Sequence, residues 1–413
     1  MAPFLCLIVS CLLSGSQPAT AAPPPEADPV IGWARVEFDA NGITRAEAGG
    51  LADLEAGREL TVDDPVRIAS ISKLVVALAA ARLVEEEMID LRDDVSMHLG
   101  WQLRNPHFPD EAITLRALLD HRAGVRDDAD YALPLDADLE AWMAGPGAWD
   151  AEHPPGYFAY ANLNYPIIAA VLEGATGERF DRLMARTVFE PLGLDACFNW
   201  TTCSEEGRSR AVALYRPDGA VARDSQRAIA EDCPAIPASD GSCDHANYVL
   251  GRNGAAFSPQ GGLRISARDL ARIGMLFLAR GEGTDFAFMN RHYRELALIP
   301  MLYNRRRAPI TGNGDSEAGF YCRYNHGVHT LNRDGGDCND GLFAGDAVYS
   351  GHAGSAYGLR SGLWVSHEDG RGVAYFATGL PDTPRPGASA FTAVEERLAR
   401  GAPLDTYVPD TDD

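Results

Sequence analysis

The sequence predicts an α+β fold within the α/β class: an antiparallel sheet flanked by helices, with a helical subdomain set between the two parts of the sheet. Three observations predict it. Strand-like runs lie at both ends of the chain, at 31–38 and 43–48 and again at 347–350, 358–366 and 373–379. Helical patterns fill most of the stretch between them. Tight connections, Asn41-Gly42 early and 367–372 late, turn neighbouring strands back on themselves. Strands at both ends with helices between them place the two termini in one sheet and leave a cleft beside the helical part. The expected division is a sheet subdomain at about 30–88 and 258–405, and a helical subdomain at about 89–257.

Taken in order, a Pro-rich lead at 23–29 precedes the first hairpin, and Asp63-Asp64-Pro65 delivers the chain to a helix at 68–87. Leu74 to Ala81 are apolar without a break, so that helix is apolar all round and belongs inside a larger body. A short helix at 113–121 follows, opened by Thr114 and stopping toward Gly124; His121 near its end reads as a structural residue. Two helices, 167–174 and 179–189, close at Pro191-Leu192-Gly193. Residues 197–256 hold four cysteines and little periodicity, which reads as a cover segment clipped by disulfides rather than packed. Ser266 caps a helix running to about 280, with Asp269 three residues on; further helices are expected at 291–303 and 391–400.

Composition bounds the function. A net charge of −23 and a pI near 4.8 argue against nucleic acid or an anionic membrane as partner. Residues 1–22 read as a secretory leader, an apolar run ending in the small residues Ala19-Thr20-Ala21-Ala22. Beyond it no apolar run reaches the length of a transmembrane span. The expected location is therefore periplasmic or secreted. Six cysteines remain after the leader, an even set in an exported chain, and their clustering suggests the pairs 197–203, 233–243 and 322–338. Cys-x-x-Cys and His-Glu-x-x-His are both absent, and the acidic turn at 334–341 lacks EF-hand spacing, so no metal and no cofactor is expected.

The chemistry centres on Ser70 and Lys73. Three residues apart at the front of the buried helix, their side chains share one face, where an amine can touch a hydroxyl. A lysine at this place works against the helix dipole and against its apolar surroundings, so something must compensate for it. Of the 36 basic residues, Lys73 is the one lysine. Arg keeps its proton in a protein, whereas a buried Lys can release it, so a Lys kept here alone fits a group that must act as a base. Gly-x-Ser-x-Gly occurs nowhere, so a serine-nucleophile reading runs through Ser-x-x-Lys.

Further along lie Tyr160-Ala161-Asn162 and His352-Ala353-Gly354. In that order, with Ser70-Ile71-Ser72-Lys73, they resemble the serine β-lactamase-like hydrolases: class C β-lactamases, DD-carboxypeptidases, D-aminopeptidases and esterases of one fold. The resemblance covers most of 31–400 and implies a β-lactamase/transpeptidase-like fold. It implies Ser70 as the acylated nucleophile, Lys73 as its partner in proton removal, and Tyr160 as a second proton carrier whose acidity the Lys73 charge would raise. It implies Asn162 bonded to Lys73 or to a substrate amide, and an oxyanion hole from the N–H groups of Ser70 and Ser355, the residue after Gly354. His352 and Ala353 stand where β-lactamases carry lysine and threonine, which exchanges a permanent cation for a part-time one and drops a hydroxyl. The expected substrate is thus a small ester or amide. A D-amino-acid peptidase or β-lactamase is the alternative enzyme, and a catalytically silent binding protein is the alternative from another class. Members of the family usually open with a helix on the sheet, whereas here the Pro-rich lead passes straight into strands.

Overall fold

The computed structural model describes residues 26–409 apart from 199, 201, 232, 234–235, 246–247, 279–313, 332–337 and 346. The expected leader at 1–22, the helix at 291–303 and the first half of the acidic turn at 334–341 lie outside the described residues. No described helix is long and apolar enough to cross a membrane.

The α+β expectation holds. The strands in chain order are β1 (Gly32–Asp39), β2 (Gly42–Asp53), β3 (Arg58–Glu59), β4 (Val66–Arg67), β5 (Cys197–Phe198), β6 (Leu214–Tyr215), β7 (Val221–Arg223), β8 (Leu263–Ile265), β9 (Tyr324–Asn325), β10 (Val328–Thr330), β11 (Ser350–Ala356), β12 (Leu359–Ser366) and β13 (Arg371–Thr378). Eight of them form one sheet in the order β3-β2-β1-β13-β12-β11-β10-β9. The ends of the chain meet at its centre: β1 runs antiparallel to β13 from the Gly32/Thr378 pair to the Asp39/Arg371 pair.

Strand alternation gives this sheet two apolar faces, each covered by a helix. Ala34, Val36 and Phe38 join Leu363, Val365, Ala374 and Phe376 in the main core, against the Ala267–Leu278 helix. Gly274 of that helix is required there, because a Cβ would meet the Phe38 ring at 2.2 Å. Trp33, Trp364, Tyr375 and Ala377 point the other way, onto Val394 and Leu398 of the Ala393–Ala399 helix. Thr392 and Glu395 close a capping box at its start. Among the described residues no helix precedes β1.

The Ser72–Glu85 helix buries every residue from Leu74 to Ala81, as its apolar run predicts. The helix around 113–121 is shorter than expected. It spans Leu115–Leu119 with Thr114 as N-cap, and it ends before Gly124 because His121 turns to a φ of +54°. The first C-terminal strand run, expected at 347–350, is displaced: β11 begins at Ser350 and carries the His-x-Gly triplet within it.

Cysteines pair as 197–203, 233–243 and 322–338. The 197–256 segment is nonetheless packed as well as clipped, which corrects the sequence reading. Asp224, fully buried, accepts from Arg264 Nη2 at 2.7 and 2.9 Å and from Trp200 Nε1 at 3.2 Å. Buried Glu173 accepts from the Tyr248 hydroxyl at 2.7 Å and from the Gly251 N–H at 2.8 Å. Burial raises the Glu173 carboxyl to about 7, and these hydrogen bonds hold the rise in check.

Candidate active site

Ser70 sits in a one-turn 3₁₀ segment, Ala69–Ile71, just before the Ser72–Glu85 helix. Ala69 reaches it with a φ of +55°, a left-handed conformation costly for a residue with a Cβ. The surroundings hold that turn: Ser72 Oγ donates to the Ala69 carbonyl at 2.7 Å and accepts from the Leu263 N–H at 3.1 Å. β11 presses against the same turn. Ser361 Oγ donates to the Ile68 carbonyl at 2.8 Å. A Cβ on Gly354 would meet Ser361 Oγ at 2.3 Å and the Ile68 oxygen at 2.4 Å. The glycine of the third motif therefore lets the strand and the Ser70 turn approach, bringing Ser355 and Ser70 to one cleft.

Lys73 is fully buried, and its ammonium has three acceptors: Ser70 Oγ at 3.0 Å, Asn162 Oδ1 at 2.7 Å and the Gln260 carbonyl at 2.8 Å. Asn162 is fixed in turn by Asp127, whose Oδ2 accepts from the Asn162 N–H at 2.8 Å and from Nδ2 at 2.9 Å, while Oδ1 accepts from the Leu163 N–H at 2.9 Å. Burial pushes Lys73 down to about 7, against the pull of the Asp127 and Glu317 carboxylates. An amine poised near neutrality within reach of a serine hydroxyl can take that proton.

Tyr160 lies over this pair, with the Lys73 nitrogen 5.0 Å from its ring centroid. Its buried hydroxyl faces those of Ser70 and Tyr321 without a hydrogen bond of regular geometry. Burial drives the phenol well above its ordinary range; Ser70 and Tyr321 draw it partway back, and Glu317 and Asp127 push it up again. Lys73 is not among the groups that draw it down, so the hydroxyl keeps its proton at neutral pH. His121 stacks on it at 4.3 Å, and the same imidazole accepts from the Ala161 N–H at 3.1 Å, which fixes the Tyr-Ala-Asn loop.

His352 is placed differently from the sequence reading. It is fully buried and stands off the cleft wall, behind Tyr160 and Tyr321 with ring centroids 6.2 and 6.4 Å away. Nδ1 donates to the Ala353 carbonyl at 2.5 Å and Nε2 accepts from the Tyr324 hydroxyl at 3.0 Å, a pairing that suits the neutral ring. Burial, with Lys73 adding to it, pushes the imidazole down to about 3. At neutral pH it is therefore an uncharged ring, and it does not line the cleft.

The cleft has a volume of about 820 Å³ and is lined by Ser70, Tyr160, Asn162, Gly354 and Ser355 among others. Five of the seven expected site residues thus share its wall; Lys73 and His352 lie beneath it. Asp127, Gln260, Glu317 and Arg67, which the sequence reading missed as site residues, also line it. The one signal available was that a buried lysine requires compensation, and it names no residue.

Similarity to known proteins gives the family. The family model described as Beta-lactamase matches residues 30–396. The chain is 30% identical over 174 residues to Esterase EstB of Burkholderia gladioli, covering 38% of this chain and 43% of the esterase. It is 26% identical over 168 residues to the putative penicillin-binding protein PbpX of Bacillus subtilis (strain 168), covering 37% and 39%. The alignments thus span about two fifths of these relatives' own length. Among solved structures, the D-amino acid amidase from Ochrobactrum anthropi SV3 complexed with L-phenylalanine superposes with a TM-score of 0.62 at 19% identity, covering 89% of this chain and 92% of that one. The class C β-lactamase from Rhodobacter sphaeroides gives 0.61 at 16% identity, covering 90% and 92%. At such identities the structural likeness speaks for the fold alone. With the family match running over most of its length, the chain belongs to the β-lactamase family, whose members are serine hydrolases.

Proposed function

We propose that the protein is an exported hydrolase that forms an acyl-enzyme on Ser70 and cleaves small esters or amides. The observation that carries this reading is the Lys73 amine, buried, held near neutrality and 3.0 Å from Ser70 Oγ. Lys73 takes the hydroxyl proton as Ser70 Oγ bonds to the carbonyl carbon. The N–H groups of Ser70 and Ser355 receive the negative oxygen, each on a backbone held by the strained turn and by β11. Collapse expels the leaving group, which takes a proton delivered from Lys73 by way of the Tyr160 hydroxyl. Tyr160 acts as relay, since its raised pKa makes a phenolate unavailable as the primary base. Water then adds to the acyl carbon, again with Lys73 as proton acceptor, and Ser70 regains its proton. His352 positions the Tyr160 side of the cleft through Tyr324. Three disulfides support the exported setting.

A short-chain 4-nitrophenyl ester, a D-alanyl amide and a cephalosporin assayed side by side test the reading. The ester is expected to turn over fastest, because no cation occupies the His352 place. Full turnover of that ester by Ser70→Ala protein would overturn the mechanism. Failure of Ser70 to label with any acylating probe would leave the silent binding protein as the better reading.

A further inference from the structure

Arg67, three residues before Ser70, ends β4 and lines the cleft, although it is only 6% exposed. Its Nε and Nη1 are buried and have no hydrogen-bond partner. The guanidinium lies over the Tyr357 ring, 5.2 Å from its centroid. Its charged neighbours do not neutralise it. Arg223 and Arg264 have the same sign, and Asp224 is already bound by Arg264 at 2.7 and 2.9 Å, so three guanidiniums share one carboxylate. Burial and the Arg264 charge lower Arg67 to about 10, which leaves it cationic at neutral pH. An apolar side chain could cover Tyr357 without the penalty of an unpaired buried charge. Contact with a ring face also leaves the in-plane N–H donors, the ones suited to an oxyanion fork, unused.

The position of Arg67 relative to the proposed chemistry says which part of a substrate it would meet. Tyr160, the proposed route of the proton to the leaving group, is surrounded by Tyr321, Tyr324, His121 and Lys73. Arg67 is surrounded instead by Tyr357 and Arg223, with Tyr131 beyond. A leaving group at Tyr160 therefore directs the acyl part toward Arg67. Asp127 and Glu317 also face the cleft, which favours a single negative charge over a dianion such as a phosphate monoester.

We propose that Arg67, with Arg223 at its rim, forms a subsite for a carboxylate on the acyl part of the substrate. The hydrolase would then favour half-esters or half-amides of dicarboxylic acids whose free acid lies a few carbons from the scissile carbonyl. This rests on the Ser70 acyl-enzyme reading above, and the test separates the two.

The mono-4-nitrophenyl esters of adipic and suberic acids are compared with their methyl-capped diesters. Wild type is expected to favour the free acids by ~10-fold or more in kcat/KM, the size of a charge-assisted hydrogen-bond pair. Arg67→Gln should bring that ratio to about one, and Arg67→Lys should restore part of it. Should Arg67→Gln fail to fold, Arg223→Gln, on a half-buried side chain, is expected to lower the ratio in its place. Calorimetric titration of Ser70→Ala protein with adipate provides an arm free of chemistry: saturable binding is expected, lost in the Ser70→Ala, Arg67→Gln double variant. Turnover of the capped diester with no free-acid preference and no adipate binding would overturn the subsite alone. Adipate binding without turnover of any ester would overturn the hydrolase reading and keep the subsite.

Discussion

Two buried cations six positions apart, Lys73 and Arg67, are treated in opposite ways. Lys73 has an acceptor for each ammonium proton and a carboxylate, Asp127, one residue behind them. Arg67 has two buried nitrogens with no partner and two like charges as neighbours. A charge enclosed by fixed acceptors is part of the machinery the protein completes by itself. A charge left without a partner beside a cleft is, on the subsite proposal, completed by a ligand. On the acyl-enzyme and subsite readings proposed above, the difference separates a group prepared for proton transfer from one prepared for recognition.

The strongest way to break this contrast is to remove the base. Lys73→Met should lower kcat/KM for a neutral ester by ~10²–10⁴-fold, the usual worth of a general base. Lys73→Arg, which restores charge without a releasable proton, should be as poor; recovery of activity by Arg would mean that charge rather than proton transfer matters. Proton linkage gives a second effect. The folded Lys73 loses its proton near pH 7 and the unfolded one near its ordinary 10.5. The unfolded chain thus binds more protons between those values, and stability relative to Lys73→Met should rise with pH there, by up to about 1.4 kcal/mol per unit. Denaturant titrations of both proteins across this range check the sign.

Smaller changes sharpen the contrast. Gly354→Ala forces β11 off the nucleophile turn, and it should cost about 1–3 kcal/mol of stability and lower kcat by displacing Ser355. Urea melts with parallel assays would show both. The mildest effect is expected from Asp127→Asn. The carboxylate holds the Lys73 pKa up, so its removal should move the acid limb of the kcat/KM profile below its wild-type position near pH 7. A shift to higher pH would contradict the assignment.

How far the sequence revealed this site depends on how local each signal is. Ser70 and Lys73 were legible because a lone lysine beside an unbroken apolar run is an anomaly that demands chemistry. The sheet was legible because alternation and turn residues at both ends of the chain are local patterns. Asp127 was not, being one of 59 acidic residues and meeting Asn162 across 35 positions. The start of β11 was misplaced because Ser350-Gly-His-Ala-Gly-Ser-Ala356 lacks the branched and aromatic residues that mark a strand. Nothing in that string says that His352 faces inward onto Tyr324, so its motif position suggested a place on the cleft wall that the structure does not give it. The 197–256 segment looked unpacked because its anchors, Asp224 on Arg264 and Glu173 on Tyr248, are long-range polar pairs that no periodicity displays.

The most direct measurement is the rate at which a labelled fluorophosphonate adds to the protein from about pH 5 to about pH 9, followed by intact mass and peptide mapping. A single adduct on Ser70 is predicted, absent from Ser70→Ala, with a rate that climbs about tenfold per pH unit and levels off near pH 7, where Lys73 loses its proton. An adduct on another residue, or a rate on Ser70 indifferent to pH across that range, would contradict the claim that a neutral Lys73 arms this serine.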